Sequence, residues 1–168
     1  MEIRIQSTGA VMLEGEFRRY IHDTTGGSFD RITPEILAEH GADPVFEGPQ
    51  ASGGTVYQYS MRSGVEQSGG KWYTKYILGP VFRDITDETG KVTTAAEQEA
   101  AYKLAKDAER AKAVRDDRNK RLSDCDWTQL PDNPLANKAD WATYRQQLRD
   151  VTSQTGFPWE VTWPTEPA

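Results

Sequence analysis

Apolar and polar positions change their period along the chain, and each change predicts an element. Ile3 and Ile5 alternate with Glu2, Arg4 and Gln6, the period of a half-buried strand. Over residues 13–21 the period lengthens, so that Leu13, Phe17, Tyr20 and Ile21 share one face of a short helix. A second short helix is punctuated within TPEILAEHGAD: Thr33 caps, Pro34 fits the first turn, Glu35 suits the dipole and Gly41 ends the run. Strands are then expected over residues 55–62, 71–78 and 81–85. Ser63-Gly64 and Ser68-Gly69-Gly70 supply turn signals between them. Tyr57, Tyr59 and Met61 would share one face, and Trp72, Thr74, Tyr76 and Leu78 another. Consecutive strands with short turns predict an antiparallel β-meander.

Past residue 90 the pattern becomes helical without interruption. Thr94-Ala95-Ala96-Glu97 matches a capping box. Glu99/Lys103, Asp116/Lys120 and Asp117/Arg121 are spaced as favourable i,i+4 pairs. The apolar stripe of this helix, 94–123, runs Ala101, Leu104, Ala108, Ala111 and then Leu122, alternating three and four like a coiled-coil seam. It is narrow and mostly alanine, which predicts an exposed strut or a self-associating helix rather than a core helix. The stretch DWTQLPDNPL reads as extended, because a residue before Pro avoids the helical region. Asn137 can cap a last helix whose face carries Trp141, Tyr144, Leu148 and Val151, and Gly156 and a Pro-interrupted segment follow.

These elements describe an α+β protein in three parts: a small N-terminal domain over 1–90 with a meander and two short helices, a connecting long helix over 91–124, and a short Trp/Pro-rich helical module over 125–168. Composition supports the division. The 168 residues carry a formal charge of −6, most of it in the first part. Residues 91–126 contain neither Gly nor Pro, whereas residues 127–168 hold Trp127, Trp141, Trp159 and Trp163 among several prolines. Leu, Ile, Val and Phe number 29, few enough that the core must be thin. Aromatics compensate in part, since each buries much area. The expected molecule is elongated or dependent on a partner.

Composition also narrows the chemistry. No apolar run is long enough for a membrane span, and MEIRIQSTGA lacks the charged-then-apolar layout of a secretory signal. A lone Cys125 cannot form an internal disulfide, which fits a reducing compartment. Its neighbours Asp124 and Asp126 blunt its nucleophilicity. His22 and His40 fall near predicted helix ends, where an imidazole complements the dipole. They do not join Cys125 in any metal-ligand spacing. Gly64-x4-Gly69-Gly70-Lys71 resembles a phosphate loop but has one residue too many, and Trp72 stands where a magnesium-binding hydroxyl belongs. A hairpin turn explains it better. Glu14/Glu16, Asp116/Asp117 and Asp124/Asp126 are better read as solvated acids than as catalytic dyads. The basic run 110–121 is interrupted by Asp116 and Asp117 and has no interleaved aromatics. It predicts a solvated helix face rather than a nucleic-acid site. No catalytic set, metal site or cofactor site is expected. The remaining candidate is the dense aromatic set Trp127, Leu130, Trp141, Tyr144, Phe157, Trp159 and Trp163. It reads either as a mini-core or as a partner-docking surface, since Trp and Tyr anchor interfaces.

The segment from Arg115 to Pro164 resembles the tail assembly chaperone family of tailed bacteriophages. The landmarks are Arg115-Asp116, Arg118-Asn119, Leu122, Asp126-Trp127-Thr128-Gln129-Leu130-Pro131-Asp132, Trp141, Tyr144-Arg145-Gln146, Leu148-Arg149-Asp150, Phe157-Pro158 and Trp163-Pro164. The resemblance covers residues 110–164. It implies an accessory protein that binds a tail-fibre or related tail polypeptide, assists its folding or trimerisation, and in some phages stays attached in the virion. It implies action in the host cytoplasm during assembly and no nucleotide, metal or catalytic residue. The alternative is a permanent structural tail component, a baseplate or fibre adaptor, found at fixed stoichiometry in purified particles.

Overall fold

A computed structural model describes residues 1–168. The chain divides into two compact units, Met1–Val81 and Phe82–Ala168, and the fold is mixed α+β.

The first unit is built on a five-stranded sheet. In chain order its elements are β1 (Glu2–Ile5), β2 (Val11–Leu13), α1 (Glu14–Thr25), α2 (Pro34–Glu39), β3 (Ala42–Phe46), β4 (Tyr59–Ser68) and β5 (Lys71–Gly79). The strands lie in the order β2-β1-β3-β5-β4. β1 runs antiparallel to both β2 and β3, β3 runs parallel to β5, and β4 closes the row antiparallel to β5. The alternation at Ile3 and Ile5 places both in the core with Phe17, Ile21, Leu37 and Ala42. The punctuation of α2 is as expected: the Thr33 hydroxyl accepts from the Ile36 N–H at 3.4 Å, with Pro34 in the first turn. α1 starts one residue later than Leu13, which is 57% exposed. The helix runs on to Thr25 and stops at Gly26, whose φ of +70° only glycine adopts freely.

Three features of the sheet differ from the expected meander. β4 runs over Tyr59–Ser68 rather than residues 55–62, so Ser63-Gly64 is not a turn but an irregularity inside that strand, where the register with β5 shifts between Arg62 and Val65. The strand expected over residues 81–85 does not form, and only Ile85–Thr86 is extended, as part of the second unit. In its place β3 enters the middle of the sheet. Pro44 argues against a central strand, yet β5 pairs with β3 only at Val45 and Phe46. Pro44 therefore sits where β3 is still open on that side, and its missing N–H leaves no gap in that ladder. The β4–β5 hairpin turns at Gly69 and Gly70, with φ of +55° and +76°, so the glycine-rich stretch before Trp72 is a hairpin turn.

The second unit begins with a small antiparallel pair, β6 (Ile85–Thr86) and β7 (Val92–Thr93). The Asp87 carboxylate closes the turn between them by accepting from the N–H groups of Thr89 and Lys91. Two helices follow, α3 (Ala95–Asp124) and α4 (Lys138–Asp150). The capping box holds: the Thr94 hydroxyl accepts from the Glu97 N–H at 3.2 Å, and the Glu97 carboxylate accepts from the Thr94 N–H at 2.8 Å. Of the expected charge pairs, Glu99–Lys103 and Asp117–Arg121 form, while Asp116 takes Lys112 and Lys120 takes Asp124. The stripe on α3 has two fates. Leu104 is 72% exposed, as a strut would have it. One turn and more further on, Ala111 and Val114 are buried, and that half of α3 packs against α4 and its flanking turns.

Candidate functional site

The aromatic module is assembled around α4. Trp141, Tyr144, Leu148 and Val151 recur at i, i+3, i+7 and i+10, and all four are buried, Leu148 and Val151 completely. Trp141 and Tyr144 meet edge to face at 5.8 Å, a favoured aromatic geometry. With Leu148 and Cys125 they form the second core of the protein, onto which Leu122, Leu135 and Trp163 pack.

Residues 126–129 depart from the expected extended course. Asp126–Gln129 is a 3-10 turn directly after α3. The Thr128 hydroxyl donates to the Cys125 carbonyl at 2.7 Å, a local bond that favours a turn over an extended chain. Arg145 then locks the turn from α4. Its Nη1 donates to the Leu122 carbonyl at 2.7 Å and contacts Cys125 Sγ at 3.0 Å, and its Nη2 donates to Asp126 Oδ1 at 2.7 Å. Leu122 belongs to the last turn of α3, where carbonyls lack intrahelical donors, so a side chain from α4 completes the end of α3. Burial works against the Arg145 charge, but the hydrogen bonds to Asp126 and Cys125 outweigh it and hold its pKa above the ordinary value. Arg145 Nε is buried without a partner.

That turn presents two apolar side chains to solvent. Trp127 is 50% exposed and Leu130 53% exposed. The Trp127 ring leans on Trp141, centroids 6.0 Å apart, so its inner side is supported by the core. Asn133 folds the following loop back by donating from Nδ2 to the Trp127 carbonyl at 2.9 Å.

The C-terminal segment after α4 is held by side chains from both helices. Gln154 pairs with the backbone of Thr162 through both ends of its amide, each bond 2.8 Å. The Trp159 indole N–H donates to Asp107 on α3 at 2.6 Å. Arg115 lies over Phe157 at 5.5 Å and Arg121 over Trp163 at 4.4 Å. Asn137 occupies the cap position of α4 but turns its Nδ2 to the Ala168 carbonyl at 2.8 Å.

The seven aromatic and leucine positions read from the sequence thus fall into three sets. Trp141 and Tyr144 are core. Phe157, Trp159 and Trp163 are half-buried against α3 and the core. Trp127 and Leu130 stand out from the surface. Arg145, Asp107 and Gln154 were given no role from the sequence. Arg145 carried a signal, since it lies four residues after Trp141 and three before Leu148, on the apolar face. The carboxylates considered as dyads are engaged elsewhere: Glu14 with Arg18, Glu16 with the Leu13 N–H, Asp116 with Lys112, Asp117 with Arg121, Asp124 with Lys120 and Asp126 with Arg145. No group of three or more His, Cys, Asp or Glu side chains is placed to hold a metal ion. No helix is long and apolar enough to cross a membrane.

The core of α4, the Arg145 lock and the C-terminal segment all fall within one recognisable stretch. Residues 111–168 match the model of the phage tail assembly chaperone protein family. No curated protein and no solved structure matches the chain. The matched stretch begins at Ala111, the first buried residue of α3. The matched stretch therefore comprises the packed half of α3, the turn bearing Trp127, α4 and the C-terminal segment.

Proposed function

We propose that this protein is a tail-fibre assembly chaperone that docks on a tail-fibre or related tail polypeptide through Trp127 and Leu130. The observation carrying this reading is the exposure of those two side chains on a turn that Arg145 and Trp141 hold in place, inside the segment that matches the chaperone family. A chaperone function is non-catalytic and is exercised in the host cytoplasm while tails are built.

Fibre polypeptides expose apolar surface and strand edges until they trimerise, and such species aggregate. An acidic protein that covers this surface keeps the client soluble. In this reading residues 125–168 form the docking module, with Phe157, Trp159 and Trp163 completing its flank. Trp141 and Tyr144 carry it from beneath. The outer strand β4 of the N-terminal domain offers a second contact by strand addition. The exposed part of α3 around Leu104 offers a seam to a second copy.

The test is co-expression with the tail-fibre polypeptide, comparing the native chain with a Trp127→Ala/Leu130→Ala variant. Retention of soluble fibre by the native chain alone supports the reading. Equal retention by both moves the docking site elsewhere. Finding the protein at fixed stoichiometry in purified particles would favour a permanent fibre or baseplate adaptor.

A further inference from the structure

The first unit contains an apolar cleft of about 440 Å³ beside the stretch of β3 that β5 leaves open. Pro34, Leu37 and Ala38 line it from α2, and Ala42 and Pro44 line it from β3, with Phe46 further along that strand. The one charged residue in its wall, Asp43, has its carboxylate held by Gln6 at 2.9 Å and by Arg4 at 3.5 Å. The cleft therefore offers no free charge to an occupant.

The ladder leaves two backbone groups of Ala42 unpaired. Ile5 lies opposite Ala42, but it turns both of its main-chain groups to the β2 side. Its N–H donates to the Ala10 carbonyl and its carbonyl accepts from the Gly9 N–H, each at 2.8 Å. Ile5 and Ala42 are thus a non-hydrogen-bonded pair. The next bond along, from the Gln6 N–H to the Gly41 carbonyl at 2.8 Å, has the phase that such a pair requires. The N–H and C=O of Ala42 consequently point away from β1, to the side on which β5 joins the sheet. β5 pairs there only at Val45 and Phe46, and no other main-chain group reaches Ala42. Ala42 is 4% exposed. A buried donor and acceptor without partners are costly, and these two lie side by side at an apolar cleft.

A peptide backbone is what answers both groups at once. In an antiparallel pair, one residue gives its N–H to the residue opposite and accepts from it. Its side chain then stands on the same face as the Ala42 methyl, which packs in the core with Leu37. Two residues on, Pro44 has no N–H to give, so the pairing is confined to this single position.

We infer that this cleft binds an extended segment of a partner polypeptide. One residue of the segment pairs antiparallel with Ala42, and its neutral aliphatic side chain packs on Leu37 and Pro34. The site lies in the first unit and does not depend on docking through Trp127.

The probes are capped synthetic peptides added to the isotope-labelled full chain. The first reads serine-threonine-leucine-threonine-serine. The second carries an ester in place of the leucine amide, which removes that N–H without adding bulk. The third has serine in place of leucine. Expected with the first is a saturable downfield shift of the Ala42 amide proton and slower exchange, half-complete near about 1 mM. The ester peptide should bind several-fold more weakly, because the Ala42 carbonyl then has no donor. The all-polar peptide should give no response. Ala38→Phe, on the exposed rim of α2, should fill the cleft and abolish binding with the melting temperature unchanged. The ester comparison needs no variant chain. No shift at Ala42 up to about 10 mM leucine peptide overturns the inference, as does a response that survives Ala38→Phe in a folded chain. Equal binding of the amide and ester peptides also overturns it, and would make the cleft a site for an apolar group without strand pairing.

Discussion

Arg145 on the last helix donates to the carbonyl of Leu122 at 2.7 Å, 23 residues earlier in the chain, and so closes the open end of α3. The same guanidinium holds Asp126. One side chain therefore joins two helices and the turn that displays Trp127. Replacing Arg145 by Ala leaves the Leu122 carbonyl and Cys125 without this donor and Asp126 without its cation. Hydrogen bonds involving a charged group contribute about 1.5–3 kcal/mol each. Asp126 keeps access to water, so the total loss should fall near 2–3 kcal/mol rather than the value for a fully buried ion pair. Urea unfolding followed by Trp fluorescence measures it. Arg145→Lys should recover only part, because an ammonium cannot span three acceptors as a guanidinium does.

Trp127 and Trp141 touch, at 6.0 Å between centroids, but their substitutions should have opposite signatures. Trp141 is 6% exposed, and truncation of a buried aromatic costs about 3–5 kcal/mol. Trp127→Ala removes a half-exposed ring and should cost about 1 kcal/mol or less, mainly the tilted ring contact with Trp141. Thermal melts of the two variants check this directly. A Trp127→Ala chain as unstable as Trp141→Ala would make Trp127 a core residue and remove the basis for docking.

Gly48 in the first unit should tolerate no side chain. Its N–H donates to the buried Thr74 hydroxyl at 2.7 Å, and a Cβ at residue 48 would overlap the Thr74 carbonyl oxygen. Gly48→Ala must push the loop after β3 away from β5 and break that bond. A loss of about 2–3 kcal/mol is expected from the strain and the unpaired hydroxyl together. Thr74→Val removes the same hydroxyl without the clash and should cost about half as much. Amide exchange should show the loosening in residues 42–79, with α4 unchanged.

Most of the chain's regular structure was legible where period and punctuation agreed. Thr33 with Pro34, Thr94 with Glu97, and the four-residue face from Trp141 to Val151 each placed a helix correctly. What escaped was decided mainly by partners distant in sequence. β3 carries Pro44, and it becomes a strand because β1 pairs along it while β5 pairs only beyond the proline. The turn at Asp126 was read as extended from its prolines, whereas Thr128 and Arg145 curl it into a 3-10 turn. The aromatic set was visible as a set. Its division into core and surface was not, because a tryptophan's exposure depends on where α4 lies beneath it.

The start of α3 should respond to acid. Both the backbone N–H and the hydroxyl of Thr94 donate to the Glu97 carboxylate, at 2.8 and 2.9 Å. These bonds hold the Glu97 pKa below its ordinary 4.5, chiefly through the Thr94 backbone and then its hydroxyl. The unfolded chain therefore takes up the proton first as pH falls. The contribution of this cap is complete above 4.5, and it drains away as the pH drops through that value towards the lower folded one. Above neutral pH nothing further should be gained. The Thr94 amide resonance should follow this titration, and the first turn of α3 should fray as it does. Glu97→Gln keeps an acceptor in place but removes the ionisation, so its Thr94 resonance should stay flat from about pH 6 to pH 3. If the native and Glu97→Gln chains titrate alike at Thr94, the carboxylate is not what starts the helix.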